Sequence, residues 1–435
     1  MNNYFWQADE ETMSQSIRQT LQLYRLQHLL GYLNQRVSFY RERFKGMEGD
    51  AINIRSLAEL ARYPFTVKTD LRDYYPFGLF AAPEEEIVRL HASSGTTGKP
   101  IVVAYTRQDI ALWSDAMART LCAGGIDARD IIQIAYGYGL FTGGLGVHYG
   151  AERLGATVVP ISGGNTAKQL TILQDFGTTA LACTPSYSIY MAEEGQNLGL
   201  DFERCKVKVG FFGAEPWSEK MRRQIEAIWH IKALDIYGLS EIIGPGVAFE
   251  CEYQNGLHVN EDHFYPEIIN PVTGDILPDG EVGELVFTTL TKQGIPLLRY
   301  RTRDLTCIIP EPCPCGRTLR RIARIMGRSD DMIIIRGVNV FPSQIEEILL
   351  NIEGTEPHYV LIIDREKSLD TLEVQVELNE KFFSDEIRKL EVFQQLIRDR
   401  IHAVTGIHAA IKLVAPHTIQ RSEGKAKRVI DRRGQ

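Results

Sequence analysis

Cysteine is scarce: seven in 435 residues, an odd and scattered set that excludes the dense pairing of a disulfide scaffold. Positive charge is not in excess either. Lys and Arg number 48 against 56 Asp and Glu, a net charge of −8. Without a basic surface to displace counterions, the chain is not built for non-specific nucleic-acid binding. A long uniform apolar run is also missing. The nearest, Ile131 to Ala151, is interrupted by Gln133, His148 and six glycines, where a membrane helix needs about 20 nearly unbroken apolar residues. It reads instead as strand, loop and helix. Met1-Asn2-Asn3-Tyr4-Phe5-Trp6 runs into acidic residues with no basic start of the kind a signal peptide has. Repeats and low-complexity tracts are lacking. The expectation is a cytoplasmic protein of roughly two or three domains, without membrane or nucleic-acid partners.

What is present falls into three textures. Residues 10–42 read as amphipathic helix, with Leu23, Leu26, Leu30, Leu33 and Val37 at helical spacing. From about 130 to 240, strands and helices alternate. The strands are 131–135, 157–160, 206–212 and 233–237, and a helix over 217–229 is opened by Pro216. That alternation predicts an α/β fold with mostly parallel sheet flanked by helices. From about 256, short strands with turns at Thr273-Gly274 and Asp279-Gly280 predict a barrel-like antiparallel subregion. Near 330 an α+β pattern begins: strand 332–335, helix 342–350, strands 359–364 and 372–378, helix 384–403, strand 411–414. Its length, about 105 residues, is ordinary for a domain.

The most informative stretch is Ser93-Ser94-Gly95-Thr96-Thr97-Gly98-Lys99-Pro100. Two glycines free the backbone to aim N–H groups at an anion, four hydroxyls add donors, and a lysine adds charge, which suits a polyphosphate. It is not a Walker A loop, which would need Gly at 93 and Ser or Thr where Pro100 stands. Further along come Gly213-Ala214-Glu215-Pro216-Trp217, Tyr237-Gly238-Leu239-Ser240-Glu241, Arg299 to Asp304, Gly327 to Asp331, Arg336 to Ser343 and Arg421 to Lys427. In this order, from about residue 60 to 431, the motifs resemble the adenylate-forming superfamily of acyl-CoA synthetases, adenylation domains and luciferases. The chain is most similar to the phenylacetate-CoA ligase family within it.

The resemblance implies two half-reactions: an acid and ATP give an acyl-adenylate and pyrophosphate, then coenzyme A displaces AMP. It implies an N-terminal domain over 1–328 that binds ATP and the acid, and a small mobile α+β domain over 329–435. Residues 93–99 would hold the β and γ phosphates. Glu241 would bind Mg²⁺, unless Ser240 and Glu241 merely cap a helix. Asp304 would bind the ribose hydroxyls, unless it pairs with Arg301 or Arg303, and Arg328 would assist there. Tyr237 would stack on adenine beside Gly213, Ala214 and Glu215, with Asp235, Ile236, Gly238 and Ser240 completing the nucleotide site. Lys425 would be the catalytic lysine, with Lys427 its rival and a solvated charge run the plainer reading. Asp330 would be the hinge, and Gly337 would line the coenzyme A channel. Tyr136, Phe141, Ala214, Ile236 and Pro245 would form an apolar slot for an aryl acid, although core packing explains each equally.

The cysteines carry a second expectation. Cys251 and His258 flank a short turn, and Cys313-Pro314-Cys315-Gly316 is a tight one. Cys₃His is a structural zinc set, while buried unligated cysteines are the alternative. Cys122, Cys183, Cys205 and Cys307 read as core. Functionally the chain reads as an AMP-forming aryl-acid:CoA ligase using ATP, coenzyme A and Mg²⁺, and the resemblance also allows a homodimer. Transfer of the acyl group to a carrier protein, or non-catalytic adenylate binding, are the other readings.

Overall fold

Short apolar runs between 131 and 239 form the centre of a nine-stranded sheet in the protein's computed structural model. The structure describes every residue except 1–4, 46, 48–51, 94–99, 332, 336–337, 367–368, 383–386, 423–427 and 434–435. The chain divides into two compact units: Met1–Cys183, Arg204–Ala214 and Lys232–Arg324 form the first, and Thr184–Glu203, Glu215–Ile231 and Ile325–Gln435 the second.

In the first unit the strands Thr157–Val159, Ile131–Ile134, Ala180–Cys183, Val209–Gly213 and Lys232–Leu239 lie side by side, all parallel. Ala180–Cys183 and Val209–Gly213 are buried at every position, the continuous burial expected of strands covered on both faces. Strand order reverses at Ile131–Ile134, which lies between Thr157–Val159 and Ala180–Cys183. Ligands of open α/β sheets bind beyond the carboxyl ends at such a reversal. Beyond Lys232–Leu239 the sheet turns antiparallel through Gly244–Phe249 and Leu257–Val259. The antiparallel region therefore starts at 244, earlier than the turn signals near 256 indicated, because a four-residue turn returns the chain directly. A second antiparallel sheet contains Phe264–Ile269, Gly283–Thr289 and Tyr300–Thr306. A hairpin of Ile87–Ser93 and Ile101–Thr106 brackets the glycine-rich loop.

The helix expected over 10–42 is interrupted. Ala8–Glu11, Gln15–Arg36 and Ser38–Lys45 are separate helices, since Ser14 caps the second through Ile17 N–H and Val37 takes extended backbone angles. Its buried face is Leu26, Leu29, Leu30 and Leu33, at helical spacing. Pro216 likewise does not open its helix. Ser218 does, accepting from Met221 N–H at 3.1 Å ahead of Glu219–Trp229. Lys206 to Lys208 stay outside the strand that begins at Val209.

The second unit holds a four-stranded sheet ordered Ala410–Val414, Leu369–Leu378, Thr355–Glu366, Val429–Asp431. The central pair is antiparallel and both outer pairings are parallel. Helices Pro342–Leu350 and Ile387–Thr405 accompany it, and Ile345, Leu349, Leu361, Val374, Ile397 and Ile401 fill the core. Helices Pro185–Asn197 and Glu219–Trp229 also belong to this unit, joined where Trp229 Nε1 donates to Ser188 O at 3.1 Å. No helix among the described residues is long and apolar enough to cross a membrane.

Candidate active site and a cysteine–histidine cluster

The last parallel strand carries four of the expected nucleotide residues, Asp235, Ile236, Tyr237 and Gly238. Asp235 N–H donates to Glu250 Oε2 at 2.8 Å, fixing the strand against its antiparallel neighbour. Ile236 is buried, and Tyr237 Oη donates to Asp304 Oδ2 at 2.5 Å. Asp304 lies on Tyr300–Thr306. The arginines beside it turn elsewhere: Arg301 forks onto Glu284 at 2.9 and 2.7 Å, and Arg303 approaches the same carboxylate at 3.4 Å. The competing salt-bridge account of Asp304 is thus not what these arginines do.

Two glycines here are set by close approach. A Cβ on Gly213 would stand 2.3 Å from Ile236 O, and one on Gly238 would stand 1.7 Å from Gly244 O. Both distances are inside any van der Waals contact, so only Gly lets these backbones meet. Ala214 follows Gly213 with φ of +70°.

Ser240 and Glu241 occupy a turn between antiparallel strands, which removes the helix-capping account of the pair. Ser240 Oγ lies 3.4 Å from Thr142 Oγ1. The Glu241 carboxylate is buried, 3.6 Å from Lys68 Nζ, and its backbone carbonyl accepts from Lys292 Nζ at 3.1 Å. Burial pushes the Lys292 amine down to about 8, with Asp109 and Glu241 pulling the other way. Lys292 gave no signal in the sequence. The fold brings it beside a residue 51 positions earlier.

Ser93 ends the strand Ile87–Ser93, and its shielded Oγ has no hydrogen-bond partner among the described residues. Ser94, Gly95, Thr96, Thr97, Gly98 and Lys99 lie outside the described residues, as do Gly337, Lys425 and Lys427. Of the apolar-slot residues, Tyr136 is buried and donates through its hydroxyl to Phe211 O at 3.4 Å. Pro245 O accepts from Trp113 Nε1 at 2.7 Å, and Phe141 is 56% exposed.

Glu215, Arg328 and Asp330 belong to the second unit. Glu215 Oε1 accepts from Ser186 N–H at 2.8 Å. Arg328 forks onto Asp330 at 2.8 and 2.9 Å. A cavity of about 460 Å³ is lined in part by Glu215, Arg328, Phe341, Tyr359 and Arg428.

In the first unit Cys251, His258, Cys313 and Cys315 are all buried, their ligand atoms within 4.8 Å of one another. Cys251 Sγ lies 3.6 Å from Cys313 Sγ, and Cys315 Sγ lies 3.5 Å from His258 Nε2. Tetrahedral metal bonds of about 2.3 Å to sulfur and 2.0–2.1 Å to nitrogen separate such atoms by about 3.5–3.8 Å. Hydrogen bonds from Cys251 and Cys313, with burial opposing and His258 adding, hold the Cys315 thiol well below its ordinary range. The Arg317 backbone N–H also donates to Cys315 Sγ at 3.5 Å, after a turn in which Gly316 has φ of +86°. Two distant sequence pairs therefore converge as one donor set able to hold a metal ion.

Residues 56–290 match the AMP-binding enzyme family, and residues 337–433 match the AMP-binding enzyme C-terminal domain. The phenylacetate-coenzyme A ligase of Aromatoleum evansii is 51% identical over 97% of this chain and 96% of its own length. That of Escherichia coli strain K12 is 52% identical over 97% of each. The chain belongs to the phenylacetate-coenzyme A ligase family of AMP-binding enzymes. A solved structure of 2-hydroxyisobutyryl-CoA ligase, in the postadenylation state in complex with 2-HIB-AMP, superposes with a TM-score of 0.92 at 31% identity. It covers 100% of this chain and 93% of that one.

Proposed function

We propose that the protein ligates phenylacetate to coenzyme A through a phenylacetyl-adenylate, consuming ATP and releasing pyrophosphate and AMP. The observation that carries this reading is the near full-length similarity to two phenylacetate-coenzyme A ligases. The site geometry agrees with it. Asp304, steadied by the Tyr237 hydroxyl, has carboxylate oxygens suited to the two ribose hydroxyls. The Tyr237 ring offers a face to adenine where Gly213 and Gly238 let backbone strands crowd together. Arg328 assists at the ribose.

The shielded Ser93 hydroxyl opens the loop through Lys99 that holds the phosphates. Glu241 is a buried hard-oxygen donor, which fits a site for Mg²⁺, and that ion when bound would neutralise phosphate charge. Lys425 stabilises the charge that develops between the acid carboxylate and the α phosphate. Residues 329–435 then move about Asp330, taking Lys425 away and opening a thiol path past Gly337. Tyr136, Phe141, Ala214, Ile236 and Pro245 contribute apolar surface for the aryl group. The Cys₃His cluster holds zinc in a structural role, because four protein donors complete a tetrahedron and leave no open position. A cytoplasmic location, where thiols stay reduced, accords with that zinc set.

The test is CoA-dependent AMP release by the purified protein across aryl and alkyl acids. Phenylacetate should give the highest kcat/KM, and Lys425→Ala should lower AMP release at least about 100-fold, in line with losing one transition-state charge contact. Equal rates for phenylacetate and short alkyl acids, or undiminished release in the variant, would contradict the assignment.

A further inference from the structure

The loop over residues 135–142 leaves the carboxyl end of strand Ile131–Ile134, where strand order reverses, and enters helix Gly143–Leu154. Two residues of the expected aryl slot, Tyr136 and Phe141, lie on it. Packing does little to fix its tip. Leu140 and Phe141 are 63% and 56% exposed, and Gly137 and Gly139 leave the backbone free to take many conformations. Polar contacts hold the loop instead. Tyr138 N–H donates to Ser162 Oγ at 3.4 Å, Tyr138 Oη meets His148 Nδ1 at 3.2 Å, and Thr142 Oγ1 lies 3.4 Å from Ser240 Oγ. Between these anchors the tip is tied through Leu140 O, which accepts from Ala92 N–H and from His91 Nδ1, each at 3.0 Å.

His91 lies on strand Ile87–Ser93 and is 1% exposed. Its ring stands edge to face with Tyr105 and Trp113, with centroids 5.5 and 5.9 Å away. A carbonyl oxygen can only accept, so Nδ1 carries the proton and the neutral ring keeps its lone pair at Nε2. Burial pushes the imidazole below its ordinary value, the Leu140 carbonyl opposes, and the charges of Arg89 and Lys292 add to the burial. The buried ring is therefore neutral, with a single N–H aimed at Leu140. A phenylalanine would fill the same aromatic surroundings, and Leu140 O would keep its bond from Ala92. What the imidazole adds is a second, directional hold on the loop tip.

We propose that His91 is a positioning residue for the acid substrate: through Leu140 O it fixes the loop that presents Phe141, and so sets which acids the protein accepts. This rests on the acid-ligating function proposed above. The strand that carries His91 ends at Ser93, ahead of the residues proposed to hold the phosphates. A general disturbance of this strand end would impair ATP and acid alike, whereas loss of the hold on Leu140 impairs the acid alone.

The experiment measures AMP release by three full-length variants. His91→Phe keeps a ring and removes the donor. His91→Asn keeps a side-chain N–H at the position of Nδ1, and His91→Gln places its amide at the reach of Nε2 and gives up the Nδ1 donor. In His91→Phe and His91→Gln the KM for phenylacetate should rise about tenfold, the upper range for one hydrogen bond. The kcat/KM preference for phenylacetate over the bulkier naphthylacetate should shrink, and the KM for ATP should stay within about twofold. His91→Asn should match the unsubstituted protein within about twofold on all three counts. Should His91→Phe fail to fold, the contrast between Asn and Gln decides alone. Parallel rises in both KM values, an Asn variant as impaired as the Gln variant, or an unchanged KM for phenylacetate without the Nδ1 donor overturns the role of His91 and leaves the function standing. An unsubstituted protein that releases no AMP with any acid overturns the function and the positioning role together.

Discussion

His263 shows how burial and charge compete at a single side chain. Its Nε2 lies 3.1 Å from Asp262 Oδ2, and Nδ1 lies 2.8 Å from Thr291 Oγ1. A carboxylate so close would ordinarily favour the charged imidazole. Arg119 forks onto that same carboxylate at 2.8 Å on each oxygen, so burial prevails and pushes the imidazole down to about 4. The folded state therefore refuses a proton that the unfolded chain accepts near the ordinary value of 6.5. Stability is full above that value and falls as pH drops from 6.5 toward 4, by up to about 1.4 kcal/mol per pH unit. Urea titrations across this range should show a shallower pH dependence for His263→Gln than for the unsubstituted protein, and identical slopes would refute the neutral imidazole. The residue scale is also where sequence reading meets its limit. Asp304 and its arginines were all visible in one stretch, yet which acid the arginines choose depends on strand pairing. Glu284 pairs with Leu305 across the sheet, a neighbour that local sequence does not announce.

Elements were legible where periodicity was strong and obscure where a cap or a partner strand decided them. Pro342–Leu350 starts at its proline and ends where its apolar face does, and both limits are written in the sequence. Val429–Asp431 was not foreseen, because three residues between arginines carry no alternation and become a strand only against Leu361–Ile363. The metal turn is intermediate. The Cys-Pro-Cys-Gly turn and its union with Cys251 and His258 were both expected from the sequence, while the pairing of Arg321 with His258 in adjacent strands, which brings the two pairs together, was not. Replacing Cys315 by Ser should abolish binding of one zinc ion per chain, measured by elemental analysis. It should also lower the melting temperature by at least about 5 °C, since roughly 2–4 °C corresponds to 1 kcal/mol in a domain of about 150–250 residues, and somewhat less in a larger one, and loss of a structural metal costs several kcal/mol. A protein isolated without metal, or an unchanged melting point in Cys315→Ser, would contradict the site.

At the scale of the whole molecule, the ordered motifs made the family readable from residue 60 onward, because several short motifs in one fixed order rarely coincide by chance. The partners of Arg421 were not readable. Glu193 and His358 are 165 positions apart and look like surface residues until the chain is folded. The account's central claim is a coupled reaction, and product analysis tests it most directly. Purified protein given ATP, phenylacetate and coenzyme A, with products resolved by mass spectrometry, should yield phenylacetyl-CoA, AMP and pyrophosphate in equal amounts, with no thioester when ATP is withheld. ADP and phosphate in place of AMP, or AMP formed without a phenylacetyl thioester, would contradict it.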